Sequence, residues 1–259
     1  MITLHITLSA GLALALSALC PLSGQTSSGG AHNHANETTP APGPINQLTA
    51  EETAAGWQLL WNGTDSTGWR SIKGVDFPKK GWEIKDGVLS VLKHGGGGDI
   101  ITAKQYANFE LSVDFKTTPG ANSGIKYFVQ HGLDKHMGIG LEYQILDDAR
   151  HPDAKLGKNG NRKLGSLYDL IPAPADKPAP SVGVWHTARL VVKGAHVEHW
   201  FDGVKVVEYD RHSEAFRAAV KASKYKGYKH FGEWETGHIL LQDHGDNVSF
   251  RNIKIRDLK

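Results

Sequence analysis

Glu142 and Gln144 stand two residues apart in LEYQIL, and Gln242 and His244 stand two apart in HILLQDH. In extended chain, residues spaced by two project from one face, so each pair presents its polar groups together. A carboxylate and two amides can accept from and donate to the hydroxyls of a polyhydroxylated ring. His244 adds a side chain that exchanges a proton near neutral pH and so suits a general base or acid. Lys126 in IKYFVQ supplies a cation on the same kind of outward face, and Phe128 beside it supplies an apolar surface for C–H faces. Polar groups mixed with large apolar ones in this way suit a sugar. Asp114 in FELSVDF and Asp147 after the LEYQIL strand complete the set of candidate sugar contacts, with Gln144, Gln242 and Phe128.

The elements that must hold these residues read as short strands. β-type runs occur at Trp57 to Trp61, Trp82 to Ile84, Val88 to Leu92, Phe109 to Lys116, Ile125 to Gln130, Gly140 to Leu146 and Thr187 to Val192. They continue at His196 to Phe201, Val204 to Tyr209, His238 to Gln242 and Val248 to Ile255. Asp86-Gly87 and Asp202-Gly203 fall between such runs and are the dipeptides that two-residue hairpins favour. Alternation assigns Phe109, Leu111, Val113 and Phe115 to a core, with Ile125, Tyr127 and Val129, then Leu141, Tyr143 and Ile145, then Ile239 and Leu241. The opposite faces then carry Glu110, Ser112 and Asp114; Lys126, Phe128 and Gln130; Glu142 and Gln144; and His238, Leu240, Gln242 and His244. The expected fold class is all-β, an antiparallel β-sandwich with one or two short helices. One helix follows Thr49 in a capping-box pattern, and a second follows Ser213 in SEAFRAAVKASKY.

With 259 residues, 39% of them hydrophobic, and 30 glycines, the chain suits one turn-rich domain. Its formal net charge of +2 gives no field suited to a polyanion, so nucleic acid is excluded as a partner. Residues 1–24 read as an export signal, with an apolar run too short to span a bilayer comfortably. The expected location is periplasmic or secreted. Cys20, the single cysteine, ends that run where a lipid-anchored bacterial protein carries its acylated residue. Leu19 before it is larger than that reading wants, so cleavage nearby stands as the other reading, and such an anchor is the one membrane contact expected. Residues 25–48 are rich in Ser, Gly, Asn, Thr and Pro and read as a flexible linker, whose His32 and His34 suit solvent better than a metal. The folded domain is then 49–259.

Five separated segments occur in the order of a known family: AAGWQLLWNGTDSTGW, NSGIKYF, GLEYQILDD, GSLYDLIPA and LQDHGDNVSFRNIKI. Over roughly residues 52 to 258 the chain resembles the 3-keto-disaccharide hydrolase domain family. The resemblance implies a concanavalin A-like jelly roll with an open cleft on one sheet. It also implies action on glycosides whose C3 hydroxyl has been oxidised to a ketone.

Such a ketone acidifies the C2 hydrogen. A base can remove it, a cation or hydrogen-bond donor can hold the enolate, and the C1 substituent can leave. On that footing the catalytic candidates are Glu142, His244, Lys126 and Tyr168. Lys126 would polarise the carbonyl, and Tyr168 would protonate the leaving oxygen or stack. Ordinary glycosidases need two carboxylates around the anomeric carbon. Laminarinase-like relatives of the fold set such acids two and four residues apart on one strand, where this chain has Glu142, Gln144 and Leu146. No cofactor is expected. A divalent metal held by Glu142 and His244 is conceivable, but no HxH or HExxH spacing occurs in the domain. Asp147 and Asp148 suit an Asx turn better than cation ligands, and Gly95 to Gly98 reads as a loop near the cleft. The alternative function is a non-catalytic carbohydrate-binding module on the cell envelope.

Overall fold

The structure is a computed structural model, and it describes residues 44–130 and 138–259. The export signal, Cys20, His32 and His34 lie outside the described residues. Among the described residues thirteen strands run in chain order: β1 (Gln58–Leu59), β2 (Trp69–Ser71), β3 (Trp82–Lys85), β4 (Val88–Val91), β5 (Ile100–Thr102), β6 (Phe109–Thr117) and β7 (Asn122–Gln130). They continue as β8 (Ile139–Leu146), β9 (His186–Lys193), β10 (His196–Phe201), β11 (Val204–Asp210), β12 (His238–Leu241) and β13 (Val248–Asp257). Helices α1 (Ala50–Ala54) and α2 (Glu214–Ala222) begin at the expected caps, Thr49 with its reciprocal Glu52 and Ser213.

All pairings are antiparallel. One sheet has the order β11-β10-β9-β6-β13-β4-β3, with β1 also on β13; the other has the order β2-β5-β12-β7-β8. Side chains of both sheets meet in one core, among them Phe109, Phe115 and Phe250 from the first and Tyr127, Leu141 and Tyr143 from the second. This is the antiparallel sandwich that alternation implied. Asp86-Gly87 and Asp202-Gly203 turn with both residues at positive φ, as two-residue hairpins require.

Three expectations need correction. Phe128 does not face outward. A register shift between Tyr127 and Gln130 inserts a bulge against β8, β12 shows the matching irregularity, and Phe128 adopts a φ of 51°. The bulge turns Phe128 into the core, where it is 0% exposed and packs under the Arg211 guanidinium at 4.1 Å. Val129 consequently joins Ile101 and Leu240 in a second small apolar cluster with Ile72.

Asp114 faces out as expected, but from the other sheet. It accepts from Thr187 Oγ1 at 2.8 Å and Asn252 Nδ2 at 2.7 Å. Asp147 closes the turn after β8 by accepting the amides of Gly120 and Ala149, which is the Asx-turn role, away from the cavity walls. The strands β2 and β5 were missed, because three residues are too few to show a period. The domain also takes hold before Thr49: Asn46 donates its amide to Asn252 Oδ1 and receives that residue's amide in return.

Candidate active site

The outward face of the five-stranded sheet carries a cavity of about 340 Å³, at the small end of the range for small-molecule sites. It is lined by six of the nine sequence candidates, namely Lys126, Glu142, Gln144, Tyr168, Gln242 and His244. Phe128, Asp114 and Asp147 are not among its walls. The floor comes from β7 and β8, where Lys126 and Glu142 are directly opposite in register and Gly124 faces Gln144. Lys126 Nζ lies 3.8 Å from Glu142 Oε2, both side chains being almost fully buried. Gly124 creates the space for this arrangement: a Cβ there would come within 2.6 Å of Glu142 Oε1.

The edge of β8 is covered by the segment around Gly165 to Tyr168. Gln144 donates its amide to Ser166 O and accepts the Gly165 amide, and Tyr168 donates its amide to Glu142 O at 3.0 Å. That pairing fixes Tyr168 beside Glu142. The Tyr168 hydroxyl donates to Asp153 Oδ2 at 2.8 Å. Burial and the Asp153 carboxylate push its pKa far above the usual phenol range. Arg162 braces the same wall through Asp153 and Asp169. Asp169 in turn accepts the amide of Lys224. Lys224 brings its Nζ to 4.2 Å from the Tyr168 ring centroid. Burial, and the nearby positive charge of Lys126, lower the pKa of its ammonium against the opposing pull of Glu142.

Asp99, Asp243, Lys224, Asn122, Ile72 and Lys73 complete the lining with Gly98, and sequence reasoning did not single them out. The Gly95 to Gly98 loop had been expected near the cleft, which was the one available signal for Asp99, the next residue. The peptide amide of Asp243 donates to Asp99 Oδ1 at 2.9 Å, while Asp243 Oδ2 accepts from Gly98 N at 2.8 Å. The two loops are thereby clasped. Burial raises the Asp99 pKa, with Lys126 and the Asp243 amide acting in the opposite direction.

Two carbonyl oxygens, Gln144 Oε1 and Gln242 Oε1, are buried at this site and have no hydrogen-bond partner among the described residues. Buried polar atoms are nearly always paired, so these acceptors are open to donors from water or from a bound molecule. His244 is exposed at the rim, in edge contact with His151 at 6.0 Å. His151, His244 and Asp246 each place a donor atom within 4.8 Å of the others, a grouping that could hold a cation. His151 Nδ1, however, accepts the Asp153 amide, which leaves the proton of a neutral ring on Nε2 and argues against ligation from that atom.

A β-sandwich with a polar cavity of this size, rich in carboxylates, ammonium groups and unfilled amide acceptors, is the arrangement of a carbohydrate-active protein. Residues 56–256 match the model of the 3-keto-alpha-glucoside-1,2-lyase-like domain, and the chain belongs to that family, which places it among glycoside-cleaving enzymes. It is 34% identical over 280 residues to the 3-keto-disaccharide hydrolase of Bacteroides thetaiotaomicron, covering 95% of this chain and 96% of that protein. A crystal structure from Parabacteroides distasonis, of a protein provisionally named a glycosyl hydrolase, is 34% identical with a TM-score of 0.75. The match covers 83% of this chain and all of that one. A second structure from that organism, similarly named, is 31% identical with a TM-score of 0.58, covering 78% and 99% of the two chains.

Proposed function

We infer that this protein cleaves 3-keto-glycosides by removing the C2 proton, expelling the C1 substituent and then adding water. The observation that carries this reading is the Lys126–Glu142 pair at 3.8 Å on the cavity floor. Removal of a proton next to a carbonyl needs a base at that hydrogen and a cation at the carbonyl oxygen, and this pair supplies both side by side. Glu142, paired with Lys126, takes the C2 proton. Lys126 turns to the C3 oxygen and holds the enolate. Gln144 and Gln242 accept from ring hydroxyls through their unfilled oxygens, and His244 at the rim meets the aglycone. Tyr168 forms a wall and is not a proton donor, because its own proton is held by Asp153. The N-terminal apolar run supports action outside the cytoplasm.

The test is incubation with a 3-keto-disaccharide and with its unoxidised parent. Monosaccharide release from the ketone alone, with exchange of the C2 hydrogen in deuterated water, is the expected result. Release from neither substrate would leave only the carbohydrate-binding reading, which the paired base and cation do not favour.

A further inference from the structure

Expelling an alkoxide from C1 is difficult without a proton for the departing oxygen, and Glu142 and Lys126 are already engaged at C2 and C3. His244 stands exposed at the rim and Lys224 lies against the Tyr168 ring, so the carboxyl, phenol and amide groups lining the cavity are the ones compared as donors. Tyr168 gives its proton to Asp153. Asp243 is held as an acceptor at both oxygens, Oδ2 by the Gly98 amide and Oδ1 by the Gly245 amide. The two glutamines are oriented as acceptors by their unfilled oxygens.

Asp99 differs from all of these. It lines the cavity, and one oxygen, Oδ1, receives the Asp243 amide. Its other oxygen has no hydrogen-bond partner among the described residues. Among the described residues Asp99 makes no ion pair, whereas Glu142 has Lys126, which reaches Asp99 only through its field. Of the three carboxyl groups lining the cavity, Asp243 is tied to two backbone amides and Glu142 to Lys126, which leaves Asp99, with one oxygen unengaged, as the one placed to carry a proton.

We propose that Asp99 is the general acid of this site, donating its proton to the glycosidic oxygen as the C1–O bond breaks. This assignment rests on the keto-glycoside reading above. Burial raises the Asp99 pKa and so favours the protonated form that the step requires. In the elimination, Glu142 receives the C2 proton and the electron pair of that bond forms the enolate. Collapse of the enolate builds the C1–C2 double bond and breaks C1–O, and the Asp99 proton goes to the leaving oxygen. In the return half, the Asp99 carboxylate takes a proton from water as its oxygen adds to C1, and Glu142 returns a proton to C2. The sum is hydrolysis, with both carboxyl groups restored.

The test compares Asp99→Asn with the wild type on a 3-keto-disaccharide and on the 4-nitrophenyl 3-keto-glucoside, whose phenolate leaves without a proton. Asn keeps an acceptor for the Asp243 amide, and urea unfolding checks that the variant is folded. The expected result is a loss of about 10²- to 10⁴-fold in kcat/KM on the disaccharide and less than about tenfold on the nitrophenyl substrate, where no general-acid contribution is required. Asp99→Glu, which keeps a proton donor, should recover part of the disaccharide rate. Equal losses on the two substrates would reduce Asp99 to a positioning residue and overturn the assignment, as would no loss on either. If the wild type releases nitrophenol and sugar from neither ketone, the keto-glycoside reading fails and takes this assignment with it. Wild-type turnover with equal losses in the variant leaves that reading intact and removes Asp99 alone.

Discussion

Lys126 Nζ and Glu142 Oε2 face each other at 3.8 Å across the β7–β8 pairing, and only 4% of each side chain reaches solvent. Removing one member of such a pair leaves an uncompensated buried charge. Lys126→Met and Glu142→Gln are each expected to lose about 3 kcal/mol or more of stability, while the double variant recovers most of it. Turnover of a 3-keto-disaccharide should be lost in all three. Urea unfolding and activity measured on the same samples check this, and a double variant as unstable as the sum of the singles would contradict the pairing.

Gly124 makes room for the Glu142 carboxylate, which lies 2.6 Å from where a Cβ would stand. Its φ is not in the left-handed region, so Gly124→Ala tests space and not backbone strain. The expected outcome is a fall in kcat of about tenfold, from a displaced base, with an unfolding midpoint close to that of the wild type. Unchanged kcat would show that Glu142 does not need its present position.

How much of this was legible in the sequence depended on whether the strand period stayed intact. On β8 it is unbroken, and Glu142 and Gln144 fall on the cavity face while Leu141, Tyr143 and Ile145 fall in the core. On β7 the bulge inverts it after Tyr127, so Phe128 and Val129 exchange faces. Alternation also separates two faces without saying which sheet a strand joins. Asp114 and Glu142 both point away from the core, yet on opposite sides of the molecule, because β6 pairs with β9 and β13 while β8 pairs with β7. Asp99 and Asp243 come from loop ends, where no period exists to signal them.

Phe128 offers a direct test of that correction. Its ring is fully buried against Phe109 and Tyr127 beneath Arg211. Phe128→Ala should therefore destabilise the fold by about 3 to 5 kcal/mol through the cavity it leaves. KM for the substrate should stay near the wild-type value at temperatures where the variant remains folded. A raised KM with unaltered stability would instead return Phe128 to the sugar site.

His199 gives the fold a pH dependence of its own. It is fully buried between the sheets, its Nε2 2.8 Å from the Tyr127 hydroxyl and its Nδ1 3.1 Å from the carbonyl of Gly165. These partners suit a neutral ring that donates from Nδ1 to the carbonyl and accepts the Tyr127 proton at Nε2. Burial drives the pKa down from 6.5 to about 4, against the opposing effect of the Gly165 bond. The unfolded chain then binds the proton more readily than the folded one, so stability from this group is complete above about pH 6.5 and drains away as pH falls towards 4. The full difference is on the order of 3 kcal/mol. His199→Gln can keep both hydrogen bonds without titrating. Urea unfolding at pH 4.5, 5.5 and 7 should show the wild type losing stability relative to this variant as the pH drops. Parallel pH profiles for the two proteins would mean that the imidazole does not titrate in this way.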